Sequence, residues 1–318
     1  MQWYEQLAQI LLIGVANGAL LALIALGYTL VYGIIELINF AHGDLSMIGT
    51  MLALTLVQGA VTLAGVSVPS ALPGPLIAAL LLGTLACCMV TCALLNVVIE
   101  RVAYRPLRHA PRLAPLISAI GVSFILINVG LDWKGASQLN FPNVIPDVDI
   151  LHTLLGVNTA FHMSTKDFAV ILLVLPLAYG LHLFINGTRL GKAMRATAQD
   201  REAAAMMGID VNTTIMLAFL LGGALAGAGG MLYGVYNNTA WFMQGFRTGM
   251  YAFTAAVMGG IGNTTGAMLG GLVIGLVAAG SDFLVDPRWT EAVVFAILIL
   301  ILVFKPTGIL GEETAARA

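Results

Sequence analysis

Apolar residues run along this chain in blocks, and most of the polar residues fall between them. Charge-free stretches at Gln6–Ile35, Leu45–Ile99, Leu113–Leu131, Phe168–Thr188, Val211–Phe246 and Thr248–Ser281 are each long enough, at roughly 20 residues or more, for an α-helix to cross a bilayer. The second stretch has room for two helices, and VSVPSALPGP (Val66–Pro75) divides it with three prolines. Ala292–Phe304 is shorter, and Trp289 and Thr290 extend it into the interface. The pattern predicts an all-α, polytopic membrane protein of about eight transmembrane helices. One or two of these are broken or re-entrant, at the polar run NFAHGD (Asn39–Asp44) and at GGIGNTTGAMLGG (Gly259–Gly271), whose glycines and Asn-Thr-Thr oppose a continuous helix.

Composition agrees. The 318 residues are 59% hydrophobic and 9% charged, with a mean hydropathy of +0.94, against about 25% charged in a soluble domain. A fold of this size cannot cover its surface with so few charges, so the solvent for most of it is membrane lipid. Residues 1–318 read as a single transmembrane domain, and 36 glycines suit close helix packing. A net charge of −2 gives no basic field for nucleic acid. Cys87, Cys88 and Cys92 sit in one apolar run without a CxxC pair and read as small packing residues. MQWYEQLAQILLIGV lacks a basic residue before its apolar segment and reads as the start of the first helix, not a signal peptide.

Basic residues set the orientation. Arg101, Arg105, Arg108 and Arg112, with Arg189, Lys192, Arg195 and Arg201, are eight of the fourteen and mark two cytoplasmic loops. Asp132 to Asp167, with four Asp and two Lys, faces the other side. The N-terminus is then expected outside and, with the glycine-rich segment broken, the C-terminus inside.

Enzyme signatures fail. NGTRLGKA (Asn186–Ala193) has Asn where a phosphate loop needs its first glycine and Ala where it needs Ser or Thr, and neither HExxH nor GxSxG occurs. Three other features carry chemistry. At the first break, a lone carboxylate at a helix centre costs about 2.5–3.5 kcal/mol on insertion scales, so Glu36 and Asp44 avoid lipid. Either this is an interfacial loop in which Asp44 and Ser46 cap the next helix, or it lines a path and Asn39 and His42 offer hydrogen bonds; Asn263 and Thr264 are the matching candidates at the second break. Second, residues 199–207 form a short helix with Asp200 and Glu202 in its first turn and Gly208 at its C′ position. Ala203, Ala204 and Ala205 beside Met206 and Met207 make it a greasy knob that something should cover. Third, Gly223 with Gly227, and Gly262, Gly266 and Gly270, recur every four residues, for packing within the chain or against a partner chain.

The knob resembles the cytoplasmic EAA loop of ABC importer permeases. The whole chain resembles the LivH family of branched-chain amino acid permease subunits through VYGIIELINFAHGDLSMIG, ERVAYRPLRHAPRLAPLISAIG, GKAMRATAQDREAAAMMGID, AFTAAVMGGIGNTTGAMLGG and the terminal PTGILG, in the family's order. The resemblance implies a multi-pass subunit of a bacterial inner membrane that works by alternating access. It pairs with a homologous second permease and two cytoplasmic ATPase subunits that hold ATP and magnesium. A periplasmic binding protein delivers Leu, Ile or Val. No cofactor is bound by this chain, and catalysis resides in the partners. Gln199–Gly208 would dock on the ATPase, with Arg195 and Arg201 pairing its acidic residues or anchoring the loop. Rival expectations are a permease of the same family for urea, short amides or other amino acids, and a stand-alone secondary transporter.

Overall fold

The computed structural model describes residues 3–65, 73–108, 110–111, 113–146, 148–149 and 162–311. Among these, seven helices are long and apolar enough to cross a membrane. They are α1 (Trp3–Ile35), α2 (Ala41–Ala64), α3 (Gly74–Ile99, continued by a π turn and a 3-10 turn to Leu107), α4 (Leu113–Lys134), α5 (Thr165–Gly187), α8 (Val211–Asn237) and α10 (Thr264–Leu284). The eighth apolar helix, α11 (Thr290–Phe304), has 15 residues and is about 22 Å long. Two short helices, α6 (Arg189–Gln199) and α7 (Arg201–Met206), precede α8, and α9 (Gln244–Gly259) is a partial helix that starts inside the bundle. A two-residue antiparallel ribbon, β1 (Leu139–Asn140) with β2 (Thr239–Ala240), ties the connections after α4 and α8. The three-proline divider falls mostly on residues 66–72, outside the described residues, as does Arg112.

α1 and α8 lie at the centre and are the most enclosed spans, whereas α3, α4 and α5 turn most of their length outward. Leu94, Val98, Phe124, Ile125, Leu172 and Leu175 are among the large apolar side chains they expose, as lipid contact requires. Small residues let the inner helices touch backbone to backbone. A Cβ on Gly230 of α8 would stand 1.8 Å from the Ser46 carbonyl of α2, and one on Gly275 of α10 would stand 2.2 Å from the Gly18 Cα of α1.

The glycine repeats therefore serve packing within the chain. Gly223 and Gly227 face the Cys92 and Cys88 carbonyls of α3, and Gly266 and Gly270 face the Gly259 and Ala255 carbonyls of α9. Gly262 departs from the expectation of one glycine face. It lies before α10 begins, in the turn, with φ +93. Cys88 and Cys92 are buried and aim their thiols at the Gly49 and Leu45 carbonyls of α2, consistent with packing residues.

The second expected break is present; the first lies at residues 36–40, upstream of the expected Asn39–Asp44, most of which α2 takes up. α1 stops at Ile35, Glu36 takes φ +54, and α2 begins at Ala41. α9 stops at Gly259, Gly260 takes φ +105, and α10 begins at Thr264. The breaks meet at one end of the bundle, where a Cβ on Gly33 would approach the Gly262 Cα to 3.1 Å.

Candidate functional site

The first break is built differently from a capped loop. α2 starts three residues before Asp44, its N-cap Phe40 offers no side-chain cap, and the Ser46 hydroxyl donates back to the Gly43 carbonyl at 2.6 Å. Asp44 and Ser46 are thus not caps; they sit in the first turns of α2. Asn39, His42 and Asp44 are 2%, 0% and 1% exposed, so this stretch is enclosed by protein and is not a solvated loop.

These side chains form an enclosed polar layer. The Tyr104 hydroxyl at the end of α3 donates to Asn39 Oδ1 at 3.0 Å. The Ser123 hydroxyl of α4 donates to Asp44. The His42 ring meets Tyr28 of α1 edge to face, with centroids 4.5 Å apart. Both His42 nitrogens, Asn39 Nδ2 and Asp44 Oδ1 lack a partner at hydrogen-bonding geometry among the described residues, although the His42 ring faces the backbone at Ile24. Buried polar atoms are paired in the great majority of cases, so a cluster of four is unusual. About two turns further along α2, Gln244 Nε2 donates to Thr50 Oγ1 at 2.7 Å, and Thr50 donates to the Gly230 carbonyl at 2.6 Å. Thr50 and Gln244 complete the layer and were not legible as its members, because their meeting links residues 194 apart in sequence.

The second break is a clasped end. Asn263 accepts from Gly266 N–H at 3.1 Å as the cap of α10, and its Nδ2 donates to the Leu310 carbonyl at 2.9 Å. Ile309 and Leu310 N–H groups take the Met258 and Gly259 carbonyls that the end of α9 leaves open. The terminal PTGILG thus closes α9. Thr264 opens α10 and is half-buried.

The short helix holds its predicted form, with two corrections. Asp200 is its N-cap and accepts from Glu202 and Ala203 N–H at 2.9 and 3.0 Å. Gly208, at φ +83, and Ile209 return N–H bonds to Ala205 and Ala204, the paired closure of a Schellman motif. Gln199 belongs instead to the end of α6. Ala204 turns inward at 4% exposure, while Met206 and Met207 stand 82% and 83% exposed. Arg201 reaches inward, donating to the Ile34 carbonyl of α1 at 2.8 Å, and Arg195 donates to Asn186. Both arginines are therefore engaged within the chain. Asp210 then caps α8, and hydrogen bonds from the Thr213 hydroxyl and amide hold its carboxyl below the usual range.

Among the described residues, then, seven candidate spans, two breaks that meet at one end and an exposed short helix tied to that end through Arg201 make up the scaffold. Residues 10–302 match the family described as branched-chain amino acid transport system, permease component. The chain belongs to this family. The permease is similar to BraD of Pseudomonas aeruginosa, a high-affinity branched-chain amino acid transport system permease protein, with 42% identity over 99% of this chain and 98% of that one. It is similar to LivH of Escherichia coli K12, 40% identical over 96% of this chain and 95% of that one. A shorter likeness, 27% over 44% of this chain and 46% of that one, links the permease to a probable LivM permease of Methanocaldococcus jannaschii. No solved structure matches.

Proposed function

We propose that this permease is one of two membrane chains of an ABC importer for branched-chain amino acids. The observation that carries the reading is the knob: a helix closed at both ends, with exposed Met206 and Met207 and a direct bond from Arg201 to α1. An apolar surface of this kind needs a cover, and an ATPase groove on the cytoplasmic side supplies one. Leu, Ile and Val as substrates rest on the names of relatives alike over nearly the full chain. The likeness to LivM supports a homologous second permease. A periplasmic binding protein would deliver substrate, and ATP and magnesium would be held by the ATPases. The membrane is then the bacterial inner membrane, with the knob and the C-terminus cytoplasmic and the N-terminus periplasmic.

In this reading, closure of the ATPases pulls α7, and Arg201 passes the pull to the end of α1, beside both breaks. Parting of α2 from α9 would uncover the polar layer. Asn39, His42 and Asp44 would then meet passing substrate, with Asn263 and Thr264 at the inner mouth. His42→Ala and Asp44→Asn should each lower transport at least fivefold while the complex still assembles. Unchanged transport in both, with normal assembly, would reduce the layer to packing.

Co-purification tests the importer itself. The expected result is a complex of two different permeases and two ATPases whose hydrolysis rises with binding protein loaded with leucine. Transport by this chain alone, without ATP, would make it a secondary transporter. Stimulation by a urea- or amide-loaded binding protein, and not by a leucine-loaded one, would reassign the substrate.

A further inference from the structure

α9 is a helix of 16 residues whose first turn is partly enclosed by its neighbours. Gln244 and Gly245 are buried, and Gln244 Nε2 is held by Thr50, the tenth of the 24 residues of α2. Met243 at the N-cap offers no side-chain bond, and Gln244 Oε1 turns back to accept from the Trp241 N–H. The first N–H groups of a helix have no partner within it. Among the described residues, only the Gln244 N–H of this turn finds a backbone carbonyl outside the helix, that of Trp241. The buried start of α9 is therefore an open donor end that carries a partial positive charge.

Asp44 faces that end. A Cβ added to Gly245 would stand 2.8 Å from Asp44 Oδ1 and 2.7 Å from Asp44 Cα. Asp44 is 1% exposed, and Ser123 bonds its other oxygen. Oδ1, the atom beside Gly245, has no partner among the described residues. No basic side chain among them forms a salt bridge with Asp44; Arg247, in the same turn of α9, pairs instead with Glu291 of α11 at 2.8 Å. A buried carboxylate is costly without a cation, and an open helix N-terminus is a place for an anion. The two unmet demands lie side by side, and together they complement an ammonium and a carboxylate carried on one carbon.

We infer that Asp44 and the first turn of α9 form the head-group site for an α-amino acid, with the ammonium on Asp44 Oδ1 and the carboxylate on the N–H groups that begin at Gly245. As the helices stand the site is shut. Backbone meets backbone there, Gly43 of α2 against Gly245 and Gly249 of α9. Parting α2 from α9 thus makes room between Asp44 and Gly245 with no interlocked side chains to separate at that point. Urea and neutral amides carry neither charge and leave both demands unmet, so the site discriminates against them. It rests on the importer reading above and names the part of the substrate that the polar layer holds.

The test uses the complete importer in vesicles, with its permease partner, ATPases and binding protein. Asp44→Asn keeps the shape and an acceptor for Ser123 and removes the charge. It should lower leucine moved per ATP at least fivefold, with subunit composition unchanged and ATPase stimulation by loaded binding protein within twofold. Leucine per ATP within twofold of wild type, or loss of a subunit from the complex, would make Asp44 structural and overturn the site. A second variant reads the site directly: Ser123→Cys, combined with Cys87→Ala, Cys88→Ala and Cys92→Ala, puts a thiol beside Asp44. During turnover a cationic methanethiosulfonate should label it at least tenfold faster than an anionic one of similar size, and leucine should slow that labelling. Isoamylamine, which lacks the carboxylate, and isocaproate, which lacks the ammonium, should each protect at least fivefold less than leucine. Equal labelling by both reagents, no labelling by either, or equal protection by the three compounds would overturn the site. Wild-type importer that moves no leucine would sink the importer reading and the site together. A working wild type with any of the overturning results sinks the site alone.

Discussion

Replacing Met206 and Met207 together by glutamate should abolish ATP-driven transport, by at least 100-fold, while the chain still folds and inserts. Both side chains are more than four-fifths exposed, so the change removes no packing inside this chain. The frame that presents them is untouched: Asp200 still caps α7, Gly208 still closes it, and Arg201 still binds the Ile34 carbonyl. What changes is the surface offered to a partner. Two carboxylates in an apolar groove must be desolvated without compensation, a large penalty for docking. The readouts are transport, co-purification of the ATPases and thermal stability of this chain. Loss of the first two with the third unchanged is the expected pattern. Full transport by the double variant would show that force does not enter through α7. Gly208→Val is the complementary variant: it spares the surface but forces a β-branched residue to φ +83, and so loosens the frame.

Where the sequence was readable, a local rule decided the structure. The two breaks were visible because polar and glycine residues interrupt hydrocarbon, and the α7 closure because Asp200 and Gly208 stand at fixed offsets from the same short helix. Where reading failed, the deciding contact was distant. Asp44 has the chemistry of a cap, but burial against Ser123 of α4 draws it into the helix instead. Gly262 shares a four-residue spacing with Gly266 and Gly270, yet the turn needs its positive φ more than the helix needs its surface. The bond from Arg201 to a carbonyl 167 residues earlier in the chain was likewise not legible. The pair Arg247–Glu291 joins two charges that stand at the edges of different apolar stretches, and nothing local in the sequence shows that they meet.

The same distance effect governs the first basic loop. By orientation its arginines are interchangeable positive charges. In the fold Arg108 is distinct: its guanidinium returns to Glu100, whose side chain is 1% exposed, and also bonds Asn212 at the start of α8. The π turn at Glu100–Tyr104 and the 3-10 turn at Arg105–Leu107, where Pro106 cannot donate to a regular helix, bend the chain back so that this pair can form. Arg108→Ala should therefore destabilise the permease by about 3–5 kcal/mol, the usual cost of leaving one member of a buried pair without its partner. Arg101→Ala should cost little, since Arg101 is exposed and its side chain hydrogen-bonds the Met216 thioether and no carboxylate among the described residues. The decisive measurement is the double variant Arg108→Ala with Glu100→Gln, in detergent denaturation. Removing the carboxylate's charge should restore most of the loss. Arg108→Ala with the stability of Arg101→Ala would mean that Arg108 only orients the loop. A double variant no better than Arg108→Ala would mean that the bond to Asn212, not the buried charge, holds the turn.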